Sequence, residues 1–195
     1  MAASKEPEAE RLLTGGVAIA GAVILVVFVL VLHLMGRIPI CECGFGIWTG
    51  SPRSSSTSQH LFDPYSFTHI LHGILFYAAL VPFKNKLTLR ERLIAAILME
   101  VAWETLENTP MIISRYRVRT AAPEYFGDSI LNSVGDLMAA IAGFWIACRL
   151  PWKITAIIVV LVELVLIVTI RDSLFLSVLM LIWPSSTIQA WQMGG

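Results

Sequence analysis

Thr14 to Met35 reads TGGVAIAGAVILVVFVLVLHLM and holds no Asp, Glu, Lys or Arg. At 1.5 Å per residue a helix of this length covers roughly 33 Å, and the hydrocarbon core of a bilayer is ~30 Å thick. The run therefore predicts a membrane-spanning helix. The residues that follow, GRIPICECG, offer no A-x-A-like cleavage site, so the run is read as an uncleaved anchor. Composition agrees with this reading. Of 195 residues 56% are hydrophobic and 14% charged, where a soluble globule is roughly a quarter charged. Fourteen basic residues balance 14 acidic ones, and no basic tract suggests nucleic acid as a partner.

The expected fold is all-α, a polytopic transmembrane helical bundle. Five spans are placed near 14–35, 64–82, 89–108, 128–149 and 151–170, with a short sixth or re-entrant segment at 173–191, interrupted by Pro184. A polar N-terminal tail, 1–13, precedes a single membrane domain, 14–195. The loops 36–63 and 109–127 fall on one face. Lys84, Lys86, Arg90 and Arg92 crowd the connection between the second and third spans. The positive-inside rule puts that connection and the N-terminus in the cytoplasm, and the two long loops outside.

The third span carries Glu100, Glu104 and Glu107, spaced i, i+4, i+7 on one helical stripe. A carboxylate within the bilayer costs at least a few kcal/mol, so ionisable residues there are functional by default. The bland alternative is ion pairing that locks helices, which yields little net stability once desolvation is counted. Other spans carry matching polar positions. His69 and His72 are i, i+3 neighbours early in the second span; Asp128, Asn132 and Asp136 recur every fourth residue in the fourth. By helical rise, Glu100 lies roughly 10 Å below Glu107, Asp136 roughly 12 Å below Asp128 and His72 about 10 Å below Tyr65. Three spans thus reach a similar depth from one side, which predicts a single polar cavity opening outward.

Four groups of residues carry the expected chemistry. His72, Glu104, Glu107 and Asp136 are the candidates for proton handling or catalysis. Arg115, Arg117, Asp128 and Asn132 are the candidates for binding a substrate, the arginines by bidentate contact with phosphate. His69, His72, Glu100 and Glu104 form a candidate divalent-metal set, since imidazole with carboxylate suits Zn²⁺, Mn²⁺ or Fe²⁺. Each has a structural alternative: the histidines as interhelical hydrogen-bond donors, Asp128 as a helix N-cap, the arginines as partners of the acids. Cys41 and Cys43 admit a metal site with His60, an intermolecular bridge or free thiols. Glu163, alone in the fifth span, either joins the cavity or holds a polar group of another helix.

The blocks CECG, STSQHLFDPYSFTHILHGILFY, EVAWETLENTPMIISRYR and YFGDSILNSVGD, within about Arg37 to Gly143, resemble an uncharacterised family of alphaproteobacterial multi-pass inner-membrane proteins. The resemblance implies the bacterial cell inner membrane and no particular activity. A looser similarity is to VanZ-like membrane proteins. There His69 or His72, Glu104 with Glu107, Arg115 or Arg117, and Asp128 with Asn132 match the pattern, while Glu100 and Asp136 depart from it. The expected function is a pocket that binds or modifies a phospholipid or a lipid-linked envelope amphiphile, with membrane lipid as the partner. The competing readings are a proton- or cation-coupled transporter and a structural assembly subunit. No G-x-S-x-G, P-loop or zincin signature is present.

Overall fold

A computed structural model of the chain describes residues 15–194. The tail assigned to 1–13 lies outside the described residues. Among the described residues eight α-helices follow in order: α1 (Gly15–Leu34), α2 (Ser66–Leu80), α3 (Leu89–Glu107), α4 (Pro110–Arg119), α5 (Ile130–Arg149), α6 (Trp152–Ile170), α7 (Leu174–Ile182) and α8 (Ser186–Met193). A 3-10 turn, Val81–Phe83, extends α2. Among the described residues four helical stretches are long and apolar enough to cross a membrane: α1, α2 with its extension, α5 and α6. At 19 residues α3 has the length, but its arginines and glutamates set it apart by composition.

The heart of the fold is the crossing of α2 and α5, where backbones touch. A Cβ on Gly73 would overlap the carbonyl oxygen of Ala140, and one on Gly143 would overlap that of Ile70. Close approach through small residues is how helices associate where burial from water gives no drive. α3 packs across both, and α1 lies against α3 and α5 through Phe28 and Leu32. The apolar core of Phe28, Leu32, Leu93, Ala96, Ile97, Leu137 and Phe144 fills the half of the bundle away from the long loops. α1 and α6 bury few residues and show Val23, Val27, Leu30, Val160, Leu164 and Val168 on the surface. Such an apolar exterior suits lipid.

Helix starts follow their caps. Thr88 and Glu91 form a capping box at α3. Ser129 caps α5 by accepting from the Asn132 N–H, so the helix begins at Ile130 and the cap is not Asp128. The expected loop 109–127 contains α4. Thr109-Pro110 ends α3 and also opens the next helix, because proline at the first helical position lacks only a donor that would have no partner there. The segment at 173–191 is two short helices parted at Pro184. The longer, α7, has nine residues, roughly 14 Å, too short to cross a bilayer alone. Both Glu163 oxygens accept from the first N–H groups of α7, Leu174 at 3.0 Å and Phe175 at 3.2 Å. Glu163 thus holds another helix.

α7 and α8 fold over the end of the bundle that carries the long loops. Arg115 donates to the carbonyls of Leu181 and Ile182, Arg53 to that of Gln192, and Gln189 to that of Thr120 at 2.9 Å. The loop 36–63 has a little order of its own: Leu61 and Phe62 donate to the carbonyls of Gly46 and Ile47 at 3.1 and 3.0 Å.

Candidate functional site

α2 and α5 descend from the loop face and α3 rises toward it, so the polar ends of three helices meet beneath the loops. His69 is the hub. Its Nδ1 lies 2.5 Å from Glu100 Oε1 and 3.2 Å from Glu104 Oε1, and its Nε2 lies 3.8 Å from Asp136 Oδ2. His72 Nδ1 adds a contact to Glu100 Oε2 at 3.1 Å. Trp103 and Phe76 wall the His72 ring. Glu100 is 0% exposed and Glu104 1%.

Three carboxylates therefore surround two imidazoles, and neither lysine nor arginine reaches them among the described contacts. Ser66 donates to Asp136 at 2.7 Å. Glu104 is different: neither of its carboxylate oxygens has a hydrogen-bond partner among the described residues. Its approach to His69 Nδ1 is within ion-pair distance, but that nitrogen lies closer to Glu100. A buried carboxylate without a donor is costly, so such a group calls for a partner.

Above this cluster lies a cavity of about 70 Å³, room for a few waters or a hydrated ion. Its walls include Arg53, Tyr65, Glu107, Tyr116, Tyr125, Asp128 and Asp172. Asp128 is clasped by Asn108: the Asn108 amide donates to its carboxylate at 2.7 Å, and the Asp128 N–H donates back to the Asn108 side-chain oxygen at 2.8 Å. Tyr125 donates to the same carboxylate at 3.1 Å. Burial, followed by the charges of Asp172, Glu107 and Asp128 respectively, holds the Tyr65, Tyr116 and Tyr125 phenols well above the usual tyrosine range. They stay protonated and serve as donors. Burial also raises the Asp128 carboxyl, against the Asn108 hydrogen bond, and lifts Asp172 to about 6.

Of the residues singled out from sequence, His69, His72, Glu100, Glu104 and Asp136 come together, and Glu107 and Asp128 line the cavity above them. Three do not join them. Arg115 and Arg117 are exposed on α4 and face away: Arg115 holds α7, and Arg117 donates to the Pro123 carbonyl at 3.1 Å. Asn132 donates to the His60 carbonyl at 2.8 Å, fixing the loop to α5. The helix of α4 explains the arginines, since it turns Tyr116 inward to Glu107 and the residues on either side of it outward. The cavity's cation is Arg53, from the serine-rich loop. Nothing in the local sequence PRSSSTSQ marks it. Asp63, fully buried and accepting from Ser58 and Tyr65 N–H groups at 2.8 and 2.7 Å, was also hidden, as it sits at the loop's end.

A helical bundle with four stretches long and apolar enough to cross a bilayer, and ionisable side chains gathered between its helices, fits the class of multi-helix membrane proteins. Residues 32–194 match the family described as "Protein of unknown function (DUF2585)", and the chain belongs to that family. It is 50% identical to a UPF0314 protein of Sinorhizobium fredii over 167 residues, 85% of each chain. A UPF0314 protein of Brucella anthropi is 43% identical over 195 residues, covering 100% of this chain and 98% of the relative. One of Sphingopyxis alaskensis is 44% identical over 188 residues, 94% of this chain and all of the relative. No solved structure matches.

Proposed function

We propose that this is a bacterial inner-membrane protein, N-terminus in the cytoplasm and cavity facing outward, that binds a divalent cation and acts through it on a phosphate-bearing amphiphile. The observation that carries the reading is Glu104, a buried carboxylate with no donor beside two imidazoles and two further acids. Two sets of donors, His69–His72–Glu100 and His69–Glu104–Asp136, each place their ligand atoms within 4.8 Å of one another. The His72–Glu100 and His69–Glu104 separations of 3.1 and 3.2 Å are near the roughly 3.0–3.4 Å expected between neighbouring ligands bonded to one ion at ~2.0–2.1 Å. Imidazole and carboxylate suit zinc, manganese or iron.

The cation also bears on the lipid. Glu107, Asp128, Asp136 and Asp172 line the cavity against one guanidinium, Arg53, so a bare phosphate would be repelled. A divalent ion held by His69, Glu104 and Asp136 would reverse that balance and would supply Lewis-acid chemistry toward a phosphoryl oxygen or a water. Around it Glu104 and His72 are placed to take a proton, Arg53 to meet the anion at the mouth, and the three tyrosines to donate hydrogen bonds. Transport is disfavoured because Leu93, Ile97, Leu137 and Phe144 close the other half of the bundle with apolar side chains.

Metal content measured by mass spectrometry on detergent-purified protein tests the proposal, beside Glu104→Gln and a His69→Ala variant. Near-stoichiometric metal in the wild type and its loss in folded variants is the expected result. Folded wild type that stays metal-free after incubation with zinc, manganese and iron salts would overturn it.

A further inference from the structure

Cys41 and Cys43 are bonded to each other. They sit in a turn closed by the Gly44 N–H donating to the Cys41 carbonyl at 3.0 Å. A bridge between residues two apart removes little entropy from the unfolded chain and ties no two helices together. Stability does not explain it, and its surroundings point to chemistry. Cys43 is exposed while Cys41 is 7% exposed, so a reagent from outside meets the Cys43 sulfur. The Cys43 N–H donates to the Cys41 sulfur at 3.2 Å, where it stabilises negative charge on that atom. His60 Nε2 stands 3.7 Å from the Cys43 sulfur. The His60 ring lies against Gly46, where any side chain would overlap it, and its carbonyl is held by Asn132. The imidazole is thus fixed beside the sulfur.

We propose that Cys41, Cys43 and His60 form a thiol–disulfide exchange site, sharing no residue with the carboxylate–imidazole cluster, whose substrate is a dithiol presented at the same face. A thiolate of the substrate bonds to the Cys43 sulfur as the Cys41–Cys43 bond breaks. The electron pair leaves on Cys41, where the Cys43 N–H receives it until a proton from water arrives. The substrate's second thiolate then attacks its own sulfur in the mixed disulfide and expels Cys43 as thiolate, which His60 protonates. The substrate is oxidised to a disulfide and the pair reduced by two electrons. Run backward with a substrate disulfide, the imidazole takes the Cys43 proton and makes the attacking thiolate.

The test uses full-length protein in detergent and the glutathione couple as probe, with adducts located by peptide mass spectrometry. The wild-type bond is expected to open and close reversibly as the ratio of reduced to oxidised glutathione is varied. With oxidised glutathione, Cys41→Ser should trap a mixed disulfide at Cys43, while Cys43→Ser reacts at Cys41 at least about tenfold more slowly, following thiol access. Adding His60→Ala to Cys41→Ser should slow adduct formation about tenfold near neutral pH, as the thiolate fraction falls. Far-UV circular dichroism of each variant serves as the fold control and should not change. A bond that survives excess reduced glutathione in the folded protein overturns the proposal. So does a reduced protein that takes up one zinc at Cys41, Cys43 and His60 and no longer reoxidises, which would make the trio a metal site.

Discussion

A single carboxylate shows how burial and titration are linked in this protein. Asp172, in the connection between α6 and α7, accepts from Ser173 N–H at 2.8 Å and from Ser177 and Tyr65 hydroxyls at 3.2 Å each. Burial nonetheless lifts its carboxyl from 3.8 to about 6. A raised carboxyl favours the folded state while protonated. Its contribution is complete below the ordinary value of 3.8 and is lost as pH rises through about 6. Wild type should therefore lose stability relative to Asp172→Asn between about pH 4 and 7, by on the order of 2 kcal/mol. Melting temperatures of the two proteins in detergent across that range check this, and a pH-independent difference would count against it.

At the scale of elements, the site exists because α2 and α5 touch. His69 and Asp136 lie on those two helices, and Gly73 and Gly143 let the backbones approach. Gly73→Ala should force them apart, costing about 1–3 kcal/mol as overpacking does, and should weaken cation retention at the cluster. Gly21→Ala is the control: α1 has nothing near that position, so the change should be neutral or stabilising by about 0.5–1 kcal/mol. Thermal melts with metal content read both. Equal effects from the two substitutions would show that the crossing is not what holds the site.

For the whole molecule, the expectation is an orientation. Ser54, in the loop that borders the cavity, and Lys84, in the basic connection, lie at opposite ends of α2. An impermeant maleimide should label Ser54→Cys in intact spheroplasts and Lys84→Cys only after permeabilisation. The reverse pattern would put the cavity in the cytoplasm and remove the case for an envelope substrate. The same arrangement explains the cavity's cover: α4, α7, α8 and the serine loop are joined across it by Arg53, Arg115 and Gln189, each donating to a backbone carbonyl.

That the chain is all-helical, with helices long and apolar enough to cross a membrane, was legible in the uncharged runs, since length and composition alone decide which segments suit a bilayer. The meeting of His69, His72, Glu100 and Asp136 was legible too, because helical periodicity sets both the face and the depth of a side chain. Where the arginines point was not. Arg115 and Arg117 flank acids in sequence, yet α4 turns them outward, and Arg53 enters from a loop with no periodicity to read. Asn132 looks like a cavity residue from its spacing but holds a loop carbonyl, and of the two readings open for Glu163 the observed one is its hold on the start of another helix. Periodicity constrains a residue within its own helix. Which backbone groups lie within hydrogen-bond reach depends on how helices and loops pack together, and only the tertiary structure supplies that.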